Sequence, residues 1–129
     1  MIHKHLLITA IIENPPHTEE QGNQWLQELV QILNMNTFLQ PISKYDNTID
    51  NKGLTGIVGL TTSHCSFHCW EVSDSIPEAF INVDVYSCKD FDPNVVIAHL
   101  EMFRIKSIVW DMVDRNPFTM MGSFGSTLH

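Results

Sequence analysis

The sequence has no apolar run near the ~20 residues that a membrane-spanning helix needs, and no basic segment followed by a long apolar stretch at its start. Neither a membrane span nor a signal peptide is therefore expected, and the reading is a cytoplasmic protein with no membrane partner. Basic residues are scarce: 7 Lys and Arg stand against 15 Asp and Glu, for a formal net charge of -8. With no local basic patch to offset that balance, a nucleic-acid partner is not expected. Cysteine is limited to 3 residues, an odd number without the spacing of a disulfide framework, which fits a reducing compartment. Internal repeats and low-complexity segments are also missing.

What remains is the composition of an ordinary globular domain. Apolar residues make up 43% and charged residues 17% of the 129, enough for one domain, 1–129, with a modest core. A run rich in Leu and Ile from His3 to Ile12 reads as a buried strand, ended by Asn14-Pro15-Pro16. Thr18-Glu19-Glu20-Gln21 has the capping-box form, with Thr18 as N-cap and Gln21 at N3. The helix it opens runs to about Met35 and carries Leu26, Leu29, Val30 and Leu33 as its apolar stripe, with Trp25 at the margin. Gly22 inside it costs about 1 kcal/mol relative to Ala.

Residues 37–44 read as a second strand, placed at an edge or bend by Pro41, and 45–52 as a polar loop. Strands over 54–61 and 63–70, a turn through 73–77 and a strand over 80–88 follow. The last has clean period-2 alternation. Asp92 and Pro93 are a good N-cap and N1 pair for a helix to about Arg104, with His99 at its exposed margin. A final strand covers 105–113, and the tail from about 116 is expected to be loose. The order β-α-β-β-β-β-α-β predicts an α+β fold: a two-layer sandwich, with two helices on one face of an antiparallel sheet. A second copy could cover the other face.

The chemically dense stretch is Thr62-Ser63-His64-Cys65-Ser66-Phe67-His68-Cys69-Trp70. On a strand His64, Ser66, His68 and Trp70 share one face, and Ser63, Cys65, Phe67 and Cys69 the other. Ser63 and His68 can face the same way only if the strand is broken just after Ser63. His64, Cys65, His68 and Cys69 match no standard zinc signature and are spread over both faces, so no metal site is assigned. Taken singly, Ser63 and His68 are ordinary strand polarity, and a cysteine is more often a small core hydrophobe.

In order, Gly53-x-Thr55-Gly56, Ser63-His64, His68 with Trp70, Cys88 and Asp92-Pro93 make a more specific set. It resembles the bacterial-type S-adenosylmethionine decarboxylase proenzymes, whose pattern runs Gly-x-Ser-Gly, Ser-His-x-x-x-His-x-Trp, a strand ending near a Cys, then Asp-Pro. The likeness spans roughly residues 53 to 110, and Lys4-His5-Leu6-Leu7 is similar to the family's first strand.

The resemblance implies a self-processing, pyruvoyl-dependent carboxy-lyase that supplies the aminopropyl donor for spermidine. Ser63 would attack the Thr62 carbonyl, the chain would split between Thr62 and Ser63, and the serine remnant would become a pyruvoyl group. That group joins a substrate amine as a Schiff base and takes up electrons as carbon dioxide leaves, so no external cofactor is needed. His68 and Thr55 stand where the family assists processing, and Cys88 stands at its general acid. Trp70 and Glu71 stand in the substrate-binding segment. The family's protomers pair as an α/β/β/α sandwich, so a homodimer of cleaved protomers is expected.

Three departures keep alternatives open. Thr62 replaces the usual Glu before the scissile bond, and its β-branch crowds the reacting carbonyl. The family's Trp-Pro-Glu is here Trp70-Glu71-Val72, which moves the carboxylate by one position and so to the other face of a strand. Ile49-Asp50-Asn51 lacks the aromatic that stacks adenine. The alternatives are a pyruvoyl-dependent decarboxylase of ornithine or arginine, and an unprocessed homologue without enzyme activity.

Overall fold

The computed structural model describes residues 2–119. Its strands are β1 (Lys4–Ile12), β2 (Thr37–Asp46), β3 (Gly53–Leu60), β4 (Ser63–Trp70), β5 (Phe80–Ser87) and β6 (Ile105–Asp114); its helices are α1 (Glu19–Ile32) and α2 (Pro93–Leu100). The strands form one sheet in the order β2-β3-β4-β5-β1-β6, and every neighbouring pair is antiparallel. This is the expected α+β sandwich with both helices on one face.

Alternation decides which side is buried. Leu6, Ile8 and Ala10 of β1, Leu54 and Val58 of β3, Cys65, Phe67 and Cys69 of β4, and Ile81, Val83 and Val85 of β5 all point inward. Trp25, Leu26, Leu29 and Val30 of α1 and Val96 and Leu100 of α2 close over them. Each large side chain so buried contributes roughly 1.5–3 kcal/mol. Helix α1 approaches the sheet closely because Gly22 has no side chain. A Cβ there would lie 2.5 Å from Ser43 Oγ and 2.7 Å from a Leu54 methyl.

Both helix starts form as their residues dictate. Thr18 Oγ1 accepts from Gln21 N, and the Gln21 side chain accepts from Thr18 N, completing the capping box. Asp92 Oδ1 accepts from Asn94 N ahead of Pro93. Strand β2 is an edge, as Pro41 requires, and its register slips on either side of Leu39.

Four expectations are corrected. Strand β2 extends to Asp46, so Tyr45 is paired with Leu54 rather than lying in a loop. Helix α2 stops at Leu100; a 3-10 turn over Glu101–Phe103 follows, and the chain reverses at Arg104 with φ 59°. Trp25 is not marginal but fully buried, at 1% exposure. His99 is buried too, its ring stacked on the Trp25 indole at 4.9 Å. The His99 imidazole bonds the Trp25 carbonyl oxygen at 2.9 Å, and Trp25 Nε1 donates back to the His99 carbonyl at 3.3 Å. Residues 116–119 form a turn held to the Asp114 carboxylate; the rest of the expected loose tail lies outside the described residues.

The opposite face of the sheet is open. Leu7, Ile42, Ile57 and Val109 are exposed there, among Thr9, Thr55, His68, Asn82 and Asp84. No helix of the described residues is long and apolar enough to cross a membrane, and among those residues no group of three His, Cys, Asp or Glu is placed to hold a metal ion.

Candidate active site

Strands β3 and β4 form a tight hairpin. Leu60 pairs with Ser63, which leaves Thr61 and Thr62 as a two-residue turn. Thr62 has φ 57°, a left-handed conformation that turns normally give to Gly or Asn. For a β-branched residue it costs of order 1–3 kcal/mol. The strained residue is the one whose carbonyl precedes Ser63.

Cys88 lies one position past the end of β5, against this turn. Its Sγ is 2.7 Å from Thr62 Oγ1 and 3.8 Å from Ser63 Oγ. Its backbone N–H donates to Ser63 Oγ at 3.2 Å. Thr62 Oγ1 is also 2.7 Å from the Thr61 carbonyl oxygen. A single hydroxyl proton cannot serve both neighbours. When Cys88 is a thiol, its S–H can donate to Thr62, which donates onward to Thr61; when it is a thiolate, Thr62 donates to sulfur. The bonds from Thr62 and then Ser63 lower the Cys88 pKa below the ordinary thiol value. Burial instead pushes Cys65 and Cys69 up to about 12, with Glu71 adding to the effect at Cys69. Of the three thiols only Cys88 is partly exposed, and it is the one whose surroundings favour the thiolate. A cavity of about 140 Å³ opens beside Ser63 and Cys88, lined also by Asn34, Leu60, Ser87 and Lys89.

Thr55 and His68 form a second group. They face each other across β3 and β4, with Thr55 Oγ1 and His68 Nδ1 2.9 Å apart. Strand β4 is unbroken from Ser63 to Trp70, so the break that could have turned Ser63 toward His68 is not present. Five residues of extended chain separate the two by roughly 16 Å, and they point to opposite faces. Trp70 shares the His68 face; it stacks on Phe80 at 4.7 Å, and its Nε1 donates to Asn51 Oδ1 at 3.0 Å. Glu71 turns to the other side, where Tyr45 donates to Oε1 at 2.9 Å and His17 Nδ1 lies 2.7 Å from Oε2. Burial, then the hydrogen bond to that carboxylate and its charge, raises the Tyr45 pKa.

A third group stands on the open face at the Ser63 end of the sheet. His5 Nε2 lies 3.0 Å from Asp84 Oδ1, and an Arg115 guanidinium N–H donates to His5 Nδ1 at 3.5 Å. Because Arg can only donate, Nδ1 accepts and Nε2 carries the proton to Asp84. His64 and Tyr86 pack beside them, with Arg115 5.1 Å above the Tyr86 ring. Burial, then His5, lowers the His64 pKa. Asp84 and Tyr86 share the open face through the alternation of β5; His5 and Arg115 carry no comparable sequence signal, since they reach it only through the pairing of β1 and β6.

The structure thus joins Thr62, Ser63 and Cys88, joins Thr55 and His68 separately, and places Glu71 apart from Trp70. A search of curated protein sequences found no match. Among solved structures, the crystal structure of the adenosylmethionine decarboxylase from Aquifex aeolicus VF5 superposes with a TM-score of 0.66, covering 98% of each chain at 19% sequence identity. At that identity the likeness establishes the fold. The model of the S-adenosylmethionine decarboxylase family matches residues 11–116. With most of its length inside that match, the chain belongs to the S-adenosylmethionine decarboxylase family.

Proposed function

We propose that the chain is a self-processing decarboxylase of S-adenosylmethionine, with a pyruvoyl group made from Ser63, whose product serves as aminopropyl donor for spermidine. The observation that carries this is the left-handed Thr62 immediately before a serine whose Oγ is held by the Cys88 N–H. Strain in the ground state favours leaving the peptide for the ester. Ser63 Oγ bonds to the Thr62 carbonyl carbon as the Thr62–Ser63 C–N bond breaks, and the nitrogen takes a proton. Loss of the Ser63 α-proton then expels Thr62 as a carboxylate, which keeps the serine oxygen. Water replaces nitrogen at the new α-carbon, and ammonia leaves. The pyruvoyl group supplies an electron sink for decarboxylation. A small group at residue 63 fits the cavity it borders. Cys88, in contact with Ser63, is placed to return a proton to the substrate carbon.

His68 and Thr55 are too far from Ser63 of their own chain to act there. A second copy laid on the open sheet face, with its strands reversed, would bring its own Thr55 and His68 toward the Ser63 end. The proposed unit is therefore a homodimer with sites shared between protomers.

Intact mass after denaturation tests the reaction. Two chains, 1–62 and 63–129, the second blocked to Edman chemistry, are the expected result. One unbroken chain after long incubation would refute self-processing and favour the unprocessed homologue. A second substrate reading rests on Ile49, which is 83% exposed, and on Glu71, which Tyr45 and His17 occupy. Neither serves a nucleoside in this arrangement, and a basic amino acid such as ornithine or arginine needs no adenine platform. Carbon dioxide release from each of the three substrates separates the readings.

A further inference from the structure

The cluster of Thr62, Ser63 and Cys88 contains more than a nucleophile and an acid. Before cleavage the sulfur faces two hydroxyl groups, Thr62 Oγ1 at 2.7 Å and Ser63 Oγ at 3.8 Å. Both can donate to it, and both favour the thiolate. A thiolate is the wrong form for a group that must deliver a proton after decarboxylation.

Cleavage changes these partners in a defined way. The Ser63 oxygen leaves residue 63 and becomes part of the Thr62 carboxylate. That atom already accepts the Cys88 backbone N–H at 3.2 Å, and as a carboxylate oxygen it accepts the same bond more strongly. Thr62 also has little freedom to depart, because β3 is paired as far as Leu60, two residues before it. We propose that self-cleavage arms Cys88: the carboxylate created on Thr62 stays against Cys88, replaces a hydroxyl donor by a negative acceptor, and holds the sulfur as S–H for proton delivery. Thr62 is then a positioning residue acting through Cys88. The inference rests on the self-processing reading above.

Little else competes for the thiol. Lys89 is the charged side chain among those lining the cavity, and its Nζ is bonded to the Asn34 carbonyl at 3.0 Å. Asp90 is held by Lys4. His64 follows Ser63 but occupies the opposite face of β4. A carboxylate beside the sulfur disfavours its charged form, so the thiol titrates higher after cleavage than before.

The test is the pH dependence of iodoacetamide alkylation of Cys88 in a partly processed sample. The uncleaved chain and the 63–129 chain are distinguished by mass in the same tube, and the buried Cys65 and Cys69 stay unreactive. The expected midpoint in the 63–129 chain is at least one pH unit above that in the uncleaved chain. Equal midpoints, or a lower one after cleavage, would overturn the proposal while leaving self-processing intact. Where no uncleaved wild-type chain survives purification, Ser63→Ala supplies it, with the Thr62 hydroxyl still on the sulfur. In Thr62→Val the uncleaved midpoint should rise, because one donor is gone, and the cleaved midpoint should stay high, because the main-chain carboxylate remains. An uncleaved wild-type chain under every condition would remove the self-processing reading, and this proposal with it.

Discussion

Thr55 and His68 are bonded to each other at 2.9 Å on the open face of the sheet, and neither reaches Ser63 of its own chain. The hairpin register forces this. Thr55 opposes His68 at one end of the β3–β4 ladder, while Leu60 opposes Ser63 at the other. Any reaction that uses all three must bring them from two chains.

Complementation tests this separation. Ser63→Ala and His68→Ala chains should each remain unbroken alone. In a mixed dimer the His68→Ala chain keeps Ser63, and its partner offers an intact Thr55–His68 pair. Denatured mass should then show cleavage of the His68→Ala chain only, in about half of the His68→Ala chains of a randomly paired equal mixture. No cleavage in a verified mixed dimer would place the helping group elsewhere.

The Thr62 backbone gives a second expectation. Glycine adopts positive φ without the Cβ penalty, so Thr62→Gly should stabilise the uncleaved chain by about 1–2 kcal/mol. In a Ser63→Ala background the denaturation midpoint reads this directly. In the wild-type background the same substitution should slow cleavage, because less strain is released on leaving the peptide. Faster cleavage would show that crowding by the β-branch outweighs strain.

The elements were legible where the pattern is local. Thr18 and Gln21 mark the start of α1, Asp92-Pro93 that of α2, and the alternation in β5 sets its buried face. What was hidden depends on partners far away in the chain. His99 looks like a helix-margin residue until Trp25, 74 positions earlier, supplies both its stacking surface and its carbonyl partner. Strand parity separated Ser63 from His68 in the sequence, but only the intact pairing of β4 with both neighbours removes the break that could have rejoined them. The contact of Thr62 with Cys88 belongs to this second kind, since it needs the end of β5 beside the β3–β4 turn.

Gly22 sets two effects against each other. Helix propensity favours alanine there by about 1 kcal/mol. A Cβ would sit 2.5 Å from Ser43 Oγ, 2.7 Å from Leu54 and 3.1 Å from Phe67. Since α1 is seated on β2 and β3 across this contact, the overpacking cost of about 1–3 kcal/mol should win. Gly22→Ala is expected to lower the denaturation midpoint, whereas a rise would mean that α1 can move outward freely.

The buried thiols should also make stability fall in alkali. Cys65 and Cys69 titrate at about 12 in the folded chain because burial disfavours the thiolate, against about 8.5 for an unfolded cysteine. The folded state therefore holds these protons over the window in which the unfolded state loses them. Their contribution is complete below about pH 8.5 and declines as pH rises toward 12, by up to about 1.4 kcal/mol per pH unit for each thiol. Cys88, partly exposed and lowered by its hydroxyl partners, should not share this behaviour. Denaturant midpoints at pH 8 and pH 10.5 should therefore differ more in the native sequence than in a Cys65→Ala, Cys69→Ala double variant, which removes both buried titrations and leaves the lysines and tyrosines common to the two. Parallel declines would mean that the sheet opens to hydroxide before the global transition.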